Sequence, residues 1–133
     1  MATVVKTTCD ISAIQCGGDA EFKDDLITFA GAVTFLAGTL LALDTSTLKY
    51  VKFVKGGSTN GNGVPSAVLT YPLTATGAGD VKARVLIEGK VKKEHLVIDA
   101  DGNDTNIDNA VMLQLRDYGI IPVSTQQLSV LDP

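Results

Sequence analysis

A chain of 133 residues fits one domain, and at this size folding hides roughly two-thirds of the surface that the unfolded chain exposes, so a true core needs no disulfide or metal staple. Net charge is −4 and the eleven Lys and Arg residues are scattered, which excludes nucleic-acid binding through a basic patch. The most apolar window, Ala30 to Leu43, is interrupted by Gly31, Thr34, Gly38 and Thr39, which excludes a spanning helix and leaves a soluble chain as the expectation.

Hydrophobic residues make up 45% but aromatics only 5%, with no Trp, so the core is expected to be built from Val, Leu, Ile and Ala, a mixture that suits strands. The start, Met1-Ala2-Thr3-Val4-Val5-Lys6, lacks the basic and continuous apolar regions of a secretory signal, so synthesis and function without export are expected. Six residues separate Cys9 from Cys16, a spacing that fits neither a redox pair nor a zinc set. Two free thiols are the expectation, with a local disulfide as the alternative.

Residues 1–24 differ from the rest. Short β-prone pieces at Val4-Val5 and Ile11 to Ile14 precede Gly17-Gly18 and the charged run Asp19 to Asp25, which reads as an extended N-terminal arm ahead of a domain over 25–133. An edge strand packed on the domain is the alternative. From Leu26 to Phe53, short apolar pieces alternate with turn residues, as in a compact β-domain. Asp44-Thr45-Ser46-Thr47 should turn the chain before a strand over Leu48 to Val54.

Gly56 to Gly63 holds four glycines among small polar residues and is predicted to be a mobile surface loop. With Pro65 following and no Lys-Ser/Thr pair, it is not a phosphate-binding loop. Val64 to Tyr71 reads as a strand ended by Pro72, and Thr74 to Asp80 as a loop. In Val81 to Glu88, Val81, Ala83, Val85 and Ile87 fall on one face and Lys82, Arg84 and Glu88 on the other, predicting a half-buried strand closed by Gly89. An apolar piece, Leu96-Val97-Ile98, comes next.

The one predicted helix begins after Thr105 or Asn106, with Thr105 and Asp108 spaced as in a capping box. Ile107, Val111, Leu115 and Tyr118 repeat at helical spacing as a core-facing stripe widened by Met112. Gly119 and Pro122 stop the helix, and Ile120 to Val123 returns as a strand. Gln126 to Pro133 forms a tail.

Catalytic raw material is thin. His95 stands alone as a surface residue, and no Ser or Cys sits in an elbow motif, so the chain is predicted to be no enzyme and to need no cofactor. The Asp and Asn residues from Asp99 to Asp108 alternate like a calcium loop, but the register puts Asp104 where glycine belongs and Ala110 where a bidentate Glu belongs. A polar turn leading into a helix cap is the better reading, and no metal site is assigned.

Five pieces, in order, carry a family resemblance: Ala37-Gly38-Thr39-Leu40-Leu41-Ala42-Leu43-Asp44-Thr45-Ser46, Lys49-Tyr50-Val51, Ala67-Val68-Leu69, Val85-Leu86-Ile87-Glu88-Gly89-Lys90-Val91, and Leu113-Gln114-Leu115-Arg116-Asp117-Tyr118-Gly119-Ile120-Ile121. They lie in one consistent order within the block Leu26 to Val123, about three-quarters of the chain, and resemble the phage head decoration protein D family. The resemblance implies a mainly β fold of the β-clip or β-tulip kind with one short C-terminal helix. It also implies homotrimers at threefold sites on the outside of the expanded head, cementing major capsid subunits, with no catalysis, nucleic acid, membrane or small-molecule substrate. Residues 1–24 occupy the position of the family's capsid-binding arm, and their β-branched pieces, suited to adding a strand to a capsid sheet edge, make Thr3, Val4, Val5, Lys6, Ile11 and Ile14 the expected contact residues. Another virion structural or tail accessory β-domain is the alternative.

Overall fold

The computed structural model describes residues 20–123, which form a mainly β domain with one short helix near the C-terminal end. Five strands close on themselves. β1 (Glu21–Phe29), β3 (Leu40–Leu43), β4 (Tyr50–Lys52), β5 (Pro65–Leu69) and β7 (Gly79–Lys92) follow the spatial order β1-β4-β3-β5-β7, and β7 returns to β1. β1 runs antiparallel to β7 from Phe29↔Gly79 to Glu21↔Glu88, and parallel to β4 through Ile27↔Tyr50. A two-stranded ribbon, β2 (Val33–Phe35) with β6 (Leu73–Ala75), folds over the end of the barrel where Phe29 lies; the rings of Phe29 and Phe35 meet there at 4.8 Å.

β3, β5 and β7 are buried on both faces. Leu41, Ala67, Leu69, Ala83 and Val85 join Ile27 and Tyr50 inside the barrel. Leu40, Val68 and Leu86 point outward into a second core with Leu96, Ile98, Ile107 and the helix α1 (Asn109–Asp117). The expectation for Val81 to Glu88 is therefore corrected at one residue: Leu86 lies on the face shared with Lys82 and Arg84 yet is completely buried, because α1 and the 96–107 segment cover that part of the sheet. Nor does Gly89 close the strand. It adopts φ of +130°, which a side chain would resist, and β7 changes partner there, from β1 up to Glu88 to β8 (Ile120–Val123) from Gly89 onward. Leu86 and Val91 enter the same core five residues apart, so the inside-outside alternation slips by one between them.

Local signals succeed and fail for identifiable reasons. Asp44 Oδ1 accepts from Ser46 N, Ser46 Oγ and Thr47 N at 2.7–3.2 Å, forming the predicted turn. The next strand then starts at Tyr50 rather than Leu48, because Leu48 has φ of +60° and is exposed. The glycine-rich segment is tied down rather than loose: Val54 N donates to Asn62 O, Thr45 N to Asn60 O and Gly57 N to Val54 O. Thr74 and Ala75, expected in a loop, pair with β2 together with Leu73. Asp108, not Thr105, caps α1, accepting from Val111 N at 3.1 Å. Ile107, Val111 and Leu115 form the buried stripe and Met112 packs beside it. Tyr118 is exposed, since the chain has left the helix at that point and helical spacing no longer sets its direction. Gly119, with φ of +86°, makes the reversal into β8.

Candidate functional site

The residues expected to bind a capsid, Thr3, Val4, Val5, Lys6, Ile11 and Ile14, lie outside the described residues, as do Cys9 and Cys16. What the structure defines is their root. Glu21 opens β1 opposite Glu88, so the described chain begins at one end of the barrel. Asp24 and its neighbours back to Glu21, read from sequence as part of the arm, are strand residues in register with β7. Ala20 and Phe22 pack against the outer core, and the Arg84 guanidinium lies 5.0 Å from the centre of the Phe22 ring, fixing the point of departure.

The other chain end leaves nearby. β8 runs parallel to β7 and ends with Val123 beside Lys92, four residues along β7 from Glu88. At about 3.3 Å per residue the two exits are some 13 Å apart along that strand. The ribbon β2–β6 sits at the opposite end, about 26 Å away along β1.

Ion pairs explain most of the lysines. Lys23, Lys49, Lys52, Lys55 and Lys93 reach Asp25, Asp80, Asp99, Asp108 and Asp104 at 2.6–3.8 Å. The hydrogen bond from Lys23, assisted by Leu26 N, holds the Asp25 carboxyl below the usual carboxylate range. Lys49 and then Thr28 do the same for Asp80, and Lys55 and then Val111 N for Asp108. Asp44 is lowered by the Ser46 hydroxyl and amide. By contrast, no oxygen of the described residues accepts from Lys82, Lys90 or Lys92.

The remaining candidates resolve into structural roles. In the 99–108 segment Asp99, Asp104 and Asp108 face lysines, Asp101 accepts from Asn106 Nδ2 at 2.9 Å, and Asn103 accepts from Thr105 N at 2.9 Å. Among the described residues no three His, Cys, Asp or Glu side chains gather as metal ligands would. His95 is exposed at the end of a single 3-10 turn, Lys93–His95. A groove of about 440 Å³ runs between Phe29, Ala32, Val33 and Val51, rimmed by Asp44 and Lys52.

A family model described as Bacteriophage lambda head decoration protein D matches residues 4–120, from within the arm to the first residue of β8. No curated protein and no solved structure matches the chain at a significant level. The ordered pieces noted in the sequence now have places: Ala37 to Ser46 enters and leaves β3, Lys49 to Val51 begins β4, Ala67 to Leu69 ends β5, Val85 to Val91 is the stretch of β7 where partners change, and Leu113 to Ile121 is the helix-to-β8 reversal. With the family match spanning most of its length, the chain belongs to the bacteriophage lambda head decoration protein D family, a structural family of the phage capsid.

Proposed function

We propose that this protein binds the outer surface of the expanded phage head at threefold positions, as a homotrimer, and cements adjacent major capsid subunits. The observation that supports this reading is the placement of the arm's root: the described residues form a closed barrel with a packed helix, and β1 begins at the same end at which β8 finishes. The β-branched stretches Thr3-Val4-Val5 and Ile11 to Ile14 suit strand addition to an exposed sheet edge of the capsid, where backbone hydrogen bonds supply affinity without a pocket. Lys6 adds a cation to the first of them. Gripping several capsid subunits at once multiplies a modest single-site affinity, and binding only the intact expanded shell stabilises it by mass action.

Cosedimentation of the purified protein with expanded and unexpanded heads tests the proposal. Selective binding to expanded heads, lost when residues 1–19 are removed, is the expected result. Equal binding to both forms, or full binding by the truncated protein, would refute it and favour another virion or tail accessory role.

A further inference from the structure

Two Asn-Gly pairs, Asn60-Gly61 and Asn62-Gly63, stand side by side in the glycine-rich segment, and the sequence holds no other. An asparagine followed by glycine is open to a reaction with its own backbone, because glycine has no Cβ to keep its amide nitrogen away from the preceding side-chain carbonyl. The two pairs are alike in sequence, yet the fold treats them differently.

Asn62 is held. Its Oδ1 accepts from Thr59 N at 3.2 Å and occupies the space that a Cβ on Gly57 would fill. Its amide donates to Thr59 O at 3.0 Å, its carbonyl accepts from Val54 N at 2.9 Å, and the residue is half-buried. Asn60 is exposed, and its side chain makes no hydrogen bond with any described residue. Only its carbonyl is tied, accepting from Thr45 N at 3.0 Å. Its φ of +49° is one that a residue with a side chain holds at some cost, so turning out of it is easier. The Gly61 amide donates to no described residue and is free to react.

We propose that Asn60 is a site of spontaneous deamidation and that the fold protects Asn62. The Gly61 nitrogen gives its proton to solvent base and bonds to Asn60 Cγ; the Cγ–Nδ2 bond breaks, and Nδ2 leaves as ammonia with a proton from water. Water then opens the cyclic imide. Addition at the side-chain carbonyl gives aspartate, and addition at the main-chain carbonyl gives isoaspartate. Either product adds a negative charge to a chain of net charge −4. Isoaspartate also lengthens the main chain and removes from it the carbonyl that held Thr45 N, so the glycine-rich segment loses its tie to the Asp44 turn. The reaction needs only water, and its products accumulate with the age of the chain.

The test is incubation of the full-length protein in mildly alkaline buffer, folded and in guanidinium chloride, followed by digestion and fragment mass spectrometry of the peptide that carries both asparagines. In the folded protein Asn60 should convert about fivefold faster than Asn62 or more, with isoaspartate among the products. In guanidinium the two rates should come within about twofold, because the bonds that hold Asn62 are gone. Equal rates in the folded protein, or faster conversion of Asn62, would overturn the proposal. So would an intact Asn60 in the folded protein over a time in which the unfolded chain converts. A preference for Asn60 that persists unchanged in guanidinium overturns it too, since the selectivity would then belong to the sequence and not to the fold.

Discussion

Leu86→Ala separates the pattern of the sequence from the packing of the protein. Strict alternation puts Leu86 on the wet face with Lys82 and Arg84, where truncation would cost little; the structure buries it completely against Val68, Val91 and Leu115 in the outer core. Truncation removes three carbon atoms, worth about 2.4 kcal/mol at about 0.8 kcal/mol per buried carbon. The cavity left behind raises the loss to about 3–4 kcal/mol, within the range for leucine truncations in cores. With an unfolding entropy of about 2.1 cal/mol/K per residue, a chain of 133 residues should melt about 11–14 °C lower. Urea denaturation followed by circular dichroism should show a lower midpoint with an unchanged slope. Lys82→Ala, on the same face but exposed, should stay within about 0.5 kcal/mol of the wild type. A loss below about 1 kcal/mol for Leu86→Ala would refute the two-faced burial of β7.

Gly63→Ala drives a methyl into the Gly57 carbonyl and should destabilise by about 1–3 kcal/mol in chemical denaturation, whereas Gly77→Ala meets open space and should be neutral or stabilising by up to about 1 kcal/mol. Asp25, Asp44, Asp80 and Asp108 titrate below 3.8 in the folded protein, so they stabilise it above that value and the contribution is lost as pH falls through their folded values. Melting temperature should therefore change little between about pH 7 and about pH 5 and drop below about pH 4; a steady decline across the upper interval would contradict these pairings. Deleting residues 1–19 should leave the melting temperature within about 2 °C of the full chain, while deleting 1–24 removes the β1 residues paired with Arg84 to Glu88 and should lower it by clearly more. Equal melting of the two truncations would remove β1's first half from the stable domain.

The elements that could be read from sequence were those governed by neighbouring residues. Asp44 turns the chain with its own side chain, Gly119 ends the helix, and Ile107, Val111 and Leu115 mark the buried stripe. What escaped was long-range. Leu86 is buried by a helix some 30 residues later in the chain, and Leu73 to Ala75 becomes a strand because Val33 to Phe35 lies alongside. The charged stretch Glu21 to Asp24 looked too polar for a strand because its partner on β7 was unknown. The order of the glycine-rich segment depends on hydrogen bonds closed by Asn60 and Asn62, which composition does not reveal. For the candidate site, the sequence indicated the arm, but the position of its root came from the pairing of Glu21 with Glu88.

Closing β7 back onto β1 has a further consequence for a protein that coats a shell. Copies crowded on a surface are at risk of joining through unpaired backbone, as edge strands do in aggregates. Here every barrel strand has a neighbour on either side, and the strands paired on one side only among the described residues are short: β2 and β6 have three residues each, and β8 has four and carries Pro122, which has no amide hydrogen to offer. Among the described residues, the backbone left open to a neighbouring copy is thereby limited to short edges, which disfavours growth of a dense coat into continuous sheets.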